Sequence, residues 1–581
     1  MNGVRLWPAV LTGWALAAAV LLIATGVSIY ALGFPDPDDA LRLLEVRDWL
    51  GGQSWWDVGQ HRLFAGDLHW SRLVDLPLAA VIAVTQPLLG QAVAERAALV
   101  IVPLLTLLAV LALVAGLTRR LAGIQCARLA VLVAPLSVPL LYQLRPMRID
   151  HHGWQIVLAL AALYLLTGKP ALRTGALAGI CLAALVTISL EGLPVAAALC
   201  GIAALAWALD PARRSQLLGM VWGLAGGALL LHVATRGIGY AAPLCDAVTA
   251  DWLLVLLTAA AGTTLATLLG TAPLLVRVAS LGLAGAAAAG VLLGIAPECV
   301  GGPFAQLDPL TRAIWYENVS EGLPVWQQFP SWAAMTVGLP LVGLAGSVLA
   351  FRRSEGETRA QWAIVIAALA AAFLLSLLVM RAGATANAFA VPGAAWALFA
   401  MLTRARAIPS PLERTLATAG ALLAVSPGLV AVALLGMPKA QAMRAAQQRY
   451  ETAGRPTCTD FSDARTVGTL PRGMIFAPLD ISPDLVATTH HRAVASGHHR
   501  NMAAMHDVIA AFIAGPEQAH AIVRRYGAAY VAVCPGLNEP ELYRARSPDG
   551  FWARLERGER FAWLEPVPMP GSPVRVWKVI G

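Results

Sequence analysis

The chain has 581 residues, 58% of them hydrophobic and only 13% charged, about half the charged fraction usual for a soluble domain. Such a composition suits a bilayer and excludes an ordinary soluble globular protein. Basic residues outnumber acidic ones, 42 to 34, but the arginines stand in short clusters between apolar runs, which argues against a nucleic-acid partner and for the loop-charge asymmetry of a membrane protein.

The N-terminus, MNGVRLWPAV, has one Arg and then an apolar run to about Leu32, without a small-residue cleavage site, and reads as a retained first span. Runs of spanning length lie near 9–32, 95–117, 127–144, 153–168, 173–190, 193–209, 216–234, 252–271, 277–296, 332–351, 361–380, 384–402 and 415–436, thirteen in all. With Arg5 inside, every loop that carries Arg119, Arg120 and Arg128, Lys169 and Arg173, Arg213 and Arg214, Arg277, Arg352, Arg353 and Arg359, or Arg404, Arg406 and Arg414 falls on the same side. The positive-inside rule makes that side cytoplasmic and puts the tail outside, as in a multi-pass protein of the cytoplasmic membrane. The apolar stretch 76–90 would divide the Arg-rich loops if it crossed, so it reads as interfacial or re-entrant.

The expected organisation is a polytopic α-helical domain over 1–436, with long outer loops at 33–75 and 297–331 and a shorter one at 235–251, then an extracytoplasmic α/β domain over 437–581. In that tail RYGAAYVAVCP (525–535) predicts a buried strand and MAAMHDVIAAFIAG (502–515) an amphipathic helix. Cys126, Cys181 and Cys200 lie in or beside spans and read as small apolar residues. Cys245, Cys299, Cys458 and Cys534 fall outside the cytoplasm, where disulfides form; Cys458 with Cys534 is the favoured pair, with connectivity left open.

Ionisable groups at the outer ends of spans are functional candidates, because burying them without a partner is costly. In FPDPDDALRL (34–43), Asp36, Asp38 and Asp39 crowd together; such carboxylates suit a hard cation, Mg²⁺ or Mn²⁺, although an Asp helix cap accounts for the motif equally well. In RPMRIDHHGW (145–154), Arg145, Arg148, Asp150, His151 and His152 mark the end of the third span, with Asp150 and His152 spaced to share one ion. WYENVSEGLPVW (315–326) adds Glu317 and Glu321, weak signals alone. Arg381 stands between two apolar spans, where a guanidinium either snorkels to headgroups or grips a lipid phosphate. A metal site and a phosphate clamp on one membrane face suit phosphoryl-activated chemistry there.

These motifs resemble, in order and topology over roughly the whole chain, the catalytic subunits of oligosaccharyltransferases within the C-type (GT-C) membrane glycosyltransferases. DPDDALR (36–42) is similar to the family's first acidic motif, RIDHH (148–152) to the second in its Asp-x-His form, and NVSEGLP (318–324) to its Ser-Val-Ser-Glu motif; Arg381 sits where the family has a pyrophosphate-binding Arg. The resemblance implies Asp36, Asp150 and His152 as metal ligands, Asp36 and Glu321 as residues acting on the acceptor, and Arg381 with Arg148 on the donor phosphate. SLEGLP (189–194) resembles a family segment, but no role for Glu191 follows from it. The family's Trp-Trp-Asp-Tyr-Gly motif, which reads the sequon hydroxyl, is replaced by FAPLDIS (476–482), and WWDVG (55–59) lies in the wrong loop. In TTHHRAVASGHHRN (488–501) the four histidines read as surface residues, a second metal being the alternative.

The implied activity is a metal-dependent, inverting transfer of a sugar or oligosaccharide from a polyprenyl (pyro)phosphate donor to a glycan, lipid or protein at the outer face, without sequon specificity. A polyprenyl-monophosphate monosaccharide transferase is the nearest alternative. A transporter or non-catalytic envelope scaffold is the other; charges gathered at the outer rim, away from the midplane, disfavour transport.

Overall fold

The computed structural model describes residues 6–64, 68–238, 244–436 and 441–580. Its first helices are α1 (Trp7–Ala31), α2 (Pro37–Leu50), α3 (Asp75–Leu89), α4 (Gln91–Val133), α5 (Val138–Tyr142), α6 (His152–Leu166), α7 (Leu172–Ile188), α8 (Leu193–Leu209) and α9 (Arg214–Arg236). They are followed by α10 (Ala250–Thr267), α11 (Leu274–Ile295), α12 (Pro309–Ile314), α13 (Pro330–Arg352), α14 (Gly356–Leu378), α15 (Gly383–Arg406), α16 (Pro411–Ala424) and α17 (Pro427–Leu435). Ten helical stretches among the described residues are long and apolar enough to cross a membrane; α16 and α17 pass the same test as a pair, and α6 and α7 are shorter apolar helices. The chain is a multi-pass membrane protein.

The apolar runs match these helices, with differences at three places. The runs 95–117 and 127–144 share the α4 ladder, which breaks at Gly123 (φ 81°, ψ 179°), a backbone state that glycine adopts without a Cβ clash. The chain is back beside the first turns of α4 by Met147, whose N–H donates to the carbonyl of Leu99 at 2.9 Å. The run 415–436 is not one straight span: α16 and α17 meet at 90°, where Pro427 cannot continue the preceding helix. Arg72–Leu89, which takes in most of the stretch 76–90 read as interfacial or re-entrant, is by length and composition able to cross. Even so, Asp75 at its start pairs with Arg42 at 2.9 Å, and just beyond its end Arg96 donates to the carbonyls of Ile29 and Tyr30 at the end of α1. Both ends of α3 therefore stand on the side where α1 ends.

Small residues bring two helix pairs close. A Cβ at Gly175, Gly179, Gly219 or Gly223 would strike the facing backbone between α7 and α9, and one at Gly343, Gly346 or Gly393 would do so between α13 and α15. Lipid gives no hydrophobic drive for helix association, so this close packing holds the bundle together.

The C-terminal part contains α18 (Gln441–Thr452), β1 (Met474–Phe476), α19 (Ser482–Thr488), β2 (Arg492–Ala493), α20 (Met502–Ile513), α21 (Pro516–Arg525), β3 (Tyr530–Val533), α22 (Asn538–Arg546), α23 (Phe551–Glu556), β4 (Leu564–Val567) and β5 (Arg575–Val579). The strands form one sheet in the order β2-β1-β3-β5-β4. β1 runs parallel to β2 and β3, and β5 antiparallel to β3 and β4. Central β3 is buried along its whole length, as a strand covered on both faces must be, and it falls in the 525–535 segment. The segment 437–440, where the domain boundary was expected, lies outside the described residues.

The sheet is tied to the first long loop. Ala493 donates to the carbonyl of Arg62 at 3.0 Å, and Phe64 to that of Val494 at 3.3 Å; α19 packs on α2. Disulfides join Cys458 to Cys534 and Cys245 to Cys299, while Cys126, Cys181 and Cys200 are free.

Candidate active site

The segment between α5 and α6 places the second acidic motif. Met147 has φ 73°, a left-handed conformation unusual for a residue with a long side chain, and the chain turns there to present 148–152. Asp39 holds that turn: fully buried, it accepts the N–H groups of Ile149 at 2.8 Å and Asp150 at 2.9 Å, and Arg148 at 3.0 Å. It is a positioning residue and faces neither cavity described below. Burial pushes its carboxyl up to about 7 against the pull of Arg148.

Asp36 is the N-cap of α2, accepting the Asp38 N–H at 3.0 Å ahead of Pro37 at the first helical position. The cap and the charged-site readings are thus both realised, since its other oxygen lies 3.0 Å from the Arg148 guanidinium. That guanidinium is buried and also stands 3.6 Å from Asp150 and 3.9 Å from Glu321. Arg148 is accordingly the counter-charge beneath the acids, held to Gln143 at 3.0 Å. Arg145 stacks on Tyr142, 4.4 Å from the ring centroid.

Asp150 accepts the His152 Nδ1 at 2.6 Å and the His151 N–H at 2.6 Å. Burial alone would raise its carboxyl, but the two imidazoles hold it well below the usual carboxylate range. Beyond them lies Glu191, in a short turn between α7 and α8. It pairs with Arg381 at 2.5 Å and stands 3.5 Å from the Nε2 atoms of both His151 and His152. Glu321 completes the group, 3.9 Å from Arg381, on a loop anchored where Met380 donates to the carbonyl of Leu323 at 3.2 Å.

Two cavities flank this cluster. The smaller, of about 300 Å³, is lined by Asp36, Asp38, Tyr142, Glu321, Trp332 and Asp480. The larger, of about 400 Å³, has a polar end at His69, His152, Glu191 and Arg312 and an apolar wall of Leu185, Val195, Leu375 and Val379. Gln143, Arg381 and Ala384 belong to both. The two spaces thus meet at one guanidinium.

No family model matches the sequence, and no curated protein matches it. Solved structures do. The chain is similar to the archaeal oligosaccharyltransferase AglB from Archaeoglobus fulgidus in complex with an inhibitory peptide and a dolichol-phosphate: TM-score 0.64 and 15% identity, over 90% of this chain and 69% of that one. The apo form of that organism's oligosaccharyltransferase gives a TM-score of 0.62 at 16% identity, over 90% and 69%. Its complex with Zn and sulfate gives 0.58 at 16%, over 90% and 67%. The chain shares the fold of that oligosaccharyltransferase.

Within this fold, the side chains present fit a divalent metal. Withdrawal from water and the carboxylates of Asp36, Asp150 and Glu321 push Asp38 well above the usual carboxylate range, the sign of acids crowded beyond what Arg148 neutralises. The buried Nε2 of His152 has no hydrogen-bond partner among the described residues, while its Nδ1 is fixed by Asp150, as in a metal-ligating histidine.

The sequence left one participant, Glu191, without a role and gave no sign of another, His69. Glu191 sits at the centre of the charges; its signal was a lone carboxylate at the break between two apolar runs. The tail histidines differ from the surface reading: of the four, His490 is exposed while His491, His498 and His499 are buried, His498 and His499 against His69 of the first loop and His491 against Val467 and Tyr530 of its own domain.

Proposed function

We propose that this chain is a metal-dependent glycosyltransferase. It moves a sugar or oligosaccharide from a polyprenyl phosphate or pyrophosphate donor to an acceptor on the face of the membrane away from the Arg-rich loops. The observation that carries this reading is the pair of cavities meeting at Arg381, one of them part apolar, with metal-capable side chains between them. The A. fulgidus enzyme of the same fold has been captured with a dolichol-phosphate and with Zn and sulfate, which supports a lipid-phosphate donor and a metal.

The larger cavity takes the donor, its isoprenoid along Leu185, Val195 and Leu375 and its phosphate against Arg381, whose planar fork matches phosphate oxygens. Glu191 holds the fork in place before the donor arrives. The smaller cavity takes the acceptor, whose nucleophile is oriented by Asp36 and Glu321. Attack from this side on a sugar whose phosphate leaves toward the other inverts the anomeric centre. Asp36, Asp150, His152 and Glu321 would hold the metal, which when bound neutralises charge on the departing phosphate oxygens. Arg148 keeps the carboxylates within reach of one another when no cation is present.

The acceptor is not defined by a sequon. Where the family reads the hydroxyl with Trp residues, Asp480 and Glu539 line the smaller cavity with Trp315, Trp332 and Phe461. Burial and Glu539 push the Asp480 carboxyl well above the usual range.

The deciding experiment is mass spectrometry of envelope glycans and glycoproteins from cells with and without the protein. A modification that disappears, and returns with wild type but not with Asp150→Asn or His152→Ala, is the expected result. Full restoration by both variants would overturn the metal assignment.

A further inference from the structure

A second cluster of metal-ligating side chains lies beside the first. His69, from the first long loop, meets His498 and His499, from the turn ahead of α20, and one ring nitrogen of each lies within 4.8 Å of the others. All three are buried, at 9%, 5% and 7% exposure. The Nδ1 of His69 faces the Nε2 of His498 at 2.8 Å, so at least one of these nitrogens presents a lone pair to its neighbour.

The surroundings fix the rings. Asp246 accepts the Nε2 of His499 at 2.7 Å, the carboxylate–imidazole pairing that sets the tautomer of metal ligands and leaves Nδ1 as the donor atom. The Cys245–Cys299 disulfide anchors the residue before Asp246, and Arg500 grips the same carboxylate at 2.7 and 2.8 Å. Arg236 holds the carbonyls of His69 and Trp70 at 2.7 and 3.0 Å. Three segments far apart in sequence are thus locked around one point before any ion arrives.

We infer that His69, His498 and His499 form a transition-metal site distinct from the Asp150 centre. Three imidazoles without a carboxylate or thiolate ligand select Zn²⁺ and its neighbours over Mg²⁺ or Ca²⁺. His69 and His499 also line the larger cavity, so an ion held by the three imidazoles would be reached from there. An ion here pins the first loop to the C-terminal domain and offers an oxygen ligand in the cavity one coordination place. The inference does not depend on the chain being a transferase.

The test uses full-length protein in detergent, stripped with a chelator and reloaded with Co²⁺ as the probe. His152→Gln, altered only at the Asp150 centre, is expected to bind an ion whose X-ray absorption shows three imidazole ligands, and wild type to show the same signal added to that of the ion at the Asp150 centre. His498→Gln and His69→Gln are each expected to lose the three-imidazole ion while keeping size-exclusion behaviour and both disulfides. Retention of the three-imidazole signal in both of these variants overturns the site. So does its absence from wild type and His152→Gln, which decides the matter even if the other variants do not fold.

Discussion

At Arg381 a planar cation stands 2.5 Å from Glu191 and 3.9 Å from Glu321 at the junction of two cavities. A lysine there keeps the charge but loses the fork. Arg381→Lys is expected to raise the KM for lipid donor about 10- to 100-fold, the equivalent of the roughly 1.5–3 kcal/mol of a charge-assisted hydrogen bond, with a smaller change in kcat; steady-state kinetics in detergent measure it. Asp484 shows a second consequence of burial. It is fully buried in α19, and neither carboxyl oxygen has a hydrogen-bond partner among the described residues. Burial, with Asp460 and Asp39 nearby, pushes its carboxyl well above the usual range. The native state therefore keeps this proton to higher pH than the unfolded chain does. The stability it lends is complete below the ordinary carboxylate pKa of 3.8 and is lost as pH rises toward the native value. Asp484→Asn should thus have a higher Tm than wild type at pH 8, with the difference shrinking toward pH 5; thermal unfolding across that range tests it.

Among the elements, α15 connects packing to chemistry most directly. Arg381 sits in the turn before its first residue, and its axis is set by Gly393 lying against the backbone of Gly343 on α13. Gly393→Val would push the helices apart. The expected cost is about 1–3 kcal/mol, as for overpacking a tight core, with a lower Tm in detergent and a loss of transfer activity larger than the fraction unfolded explains. The short segment between α5 and α6 makes a related point: its place depends on Asp39, far away in sequence, which receives its backbone N–H groups. Periodicity outlined α6 and marked RIDHH as polar, but did not reveal that one aspartate of the first motif serves the second motif.

For the whole molecule, the arginine-rich loops lead us to propose an orientation in which they face the cytoplasm and the sheet domain lies outside. An alkaline phosphatase fused after Gly581 is expected to be active, and one fused within the Arg352–Arg359 loop inactive; the reverse pattern would invert the topology. Much of this architecture was legible in the chain itself, because each spanning helix must be apolar over its own length and carries that signature whatever it packs against. The buried strand at 530–533 announced itself for the same reason. The residues of the candidate site were legible as polar groups in an apolar chain, which is why Asp36, Asp150, His152, Glu321 and Arg381 stood out. Their partners were not. Glu191 beneath Arg381, Arg148 as counter-charge among the acids, and His69 facing His498 across more than four hundred residues are pairings that no local pattern encodes. The sequence determined which side chains had to be sheltered or matched; only the tertiary structure decided with which others, since a buried charge can be satisfied by any partner the packing brings within a few ångströms.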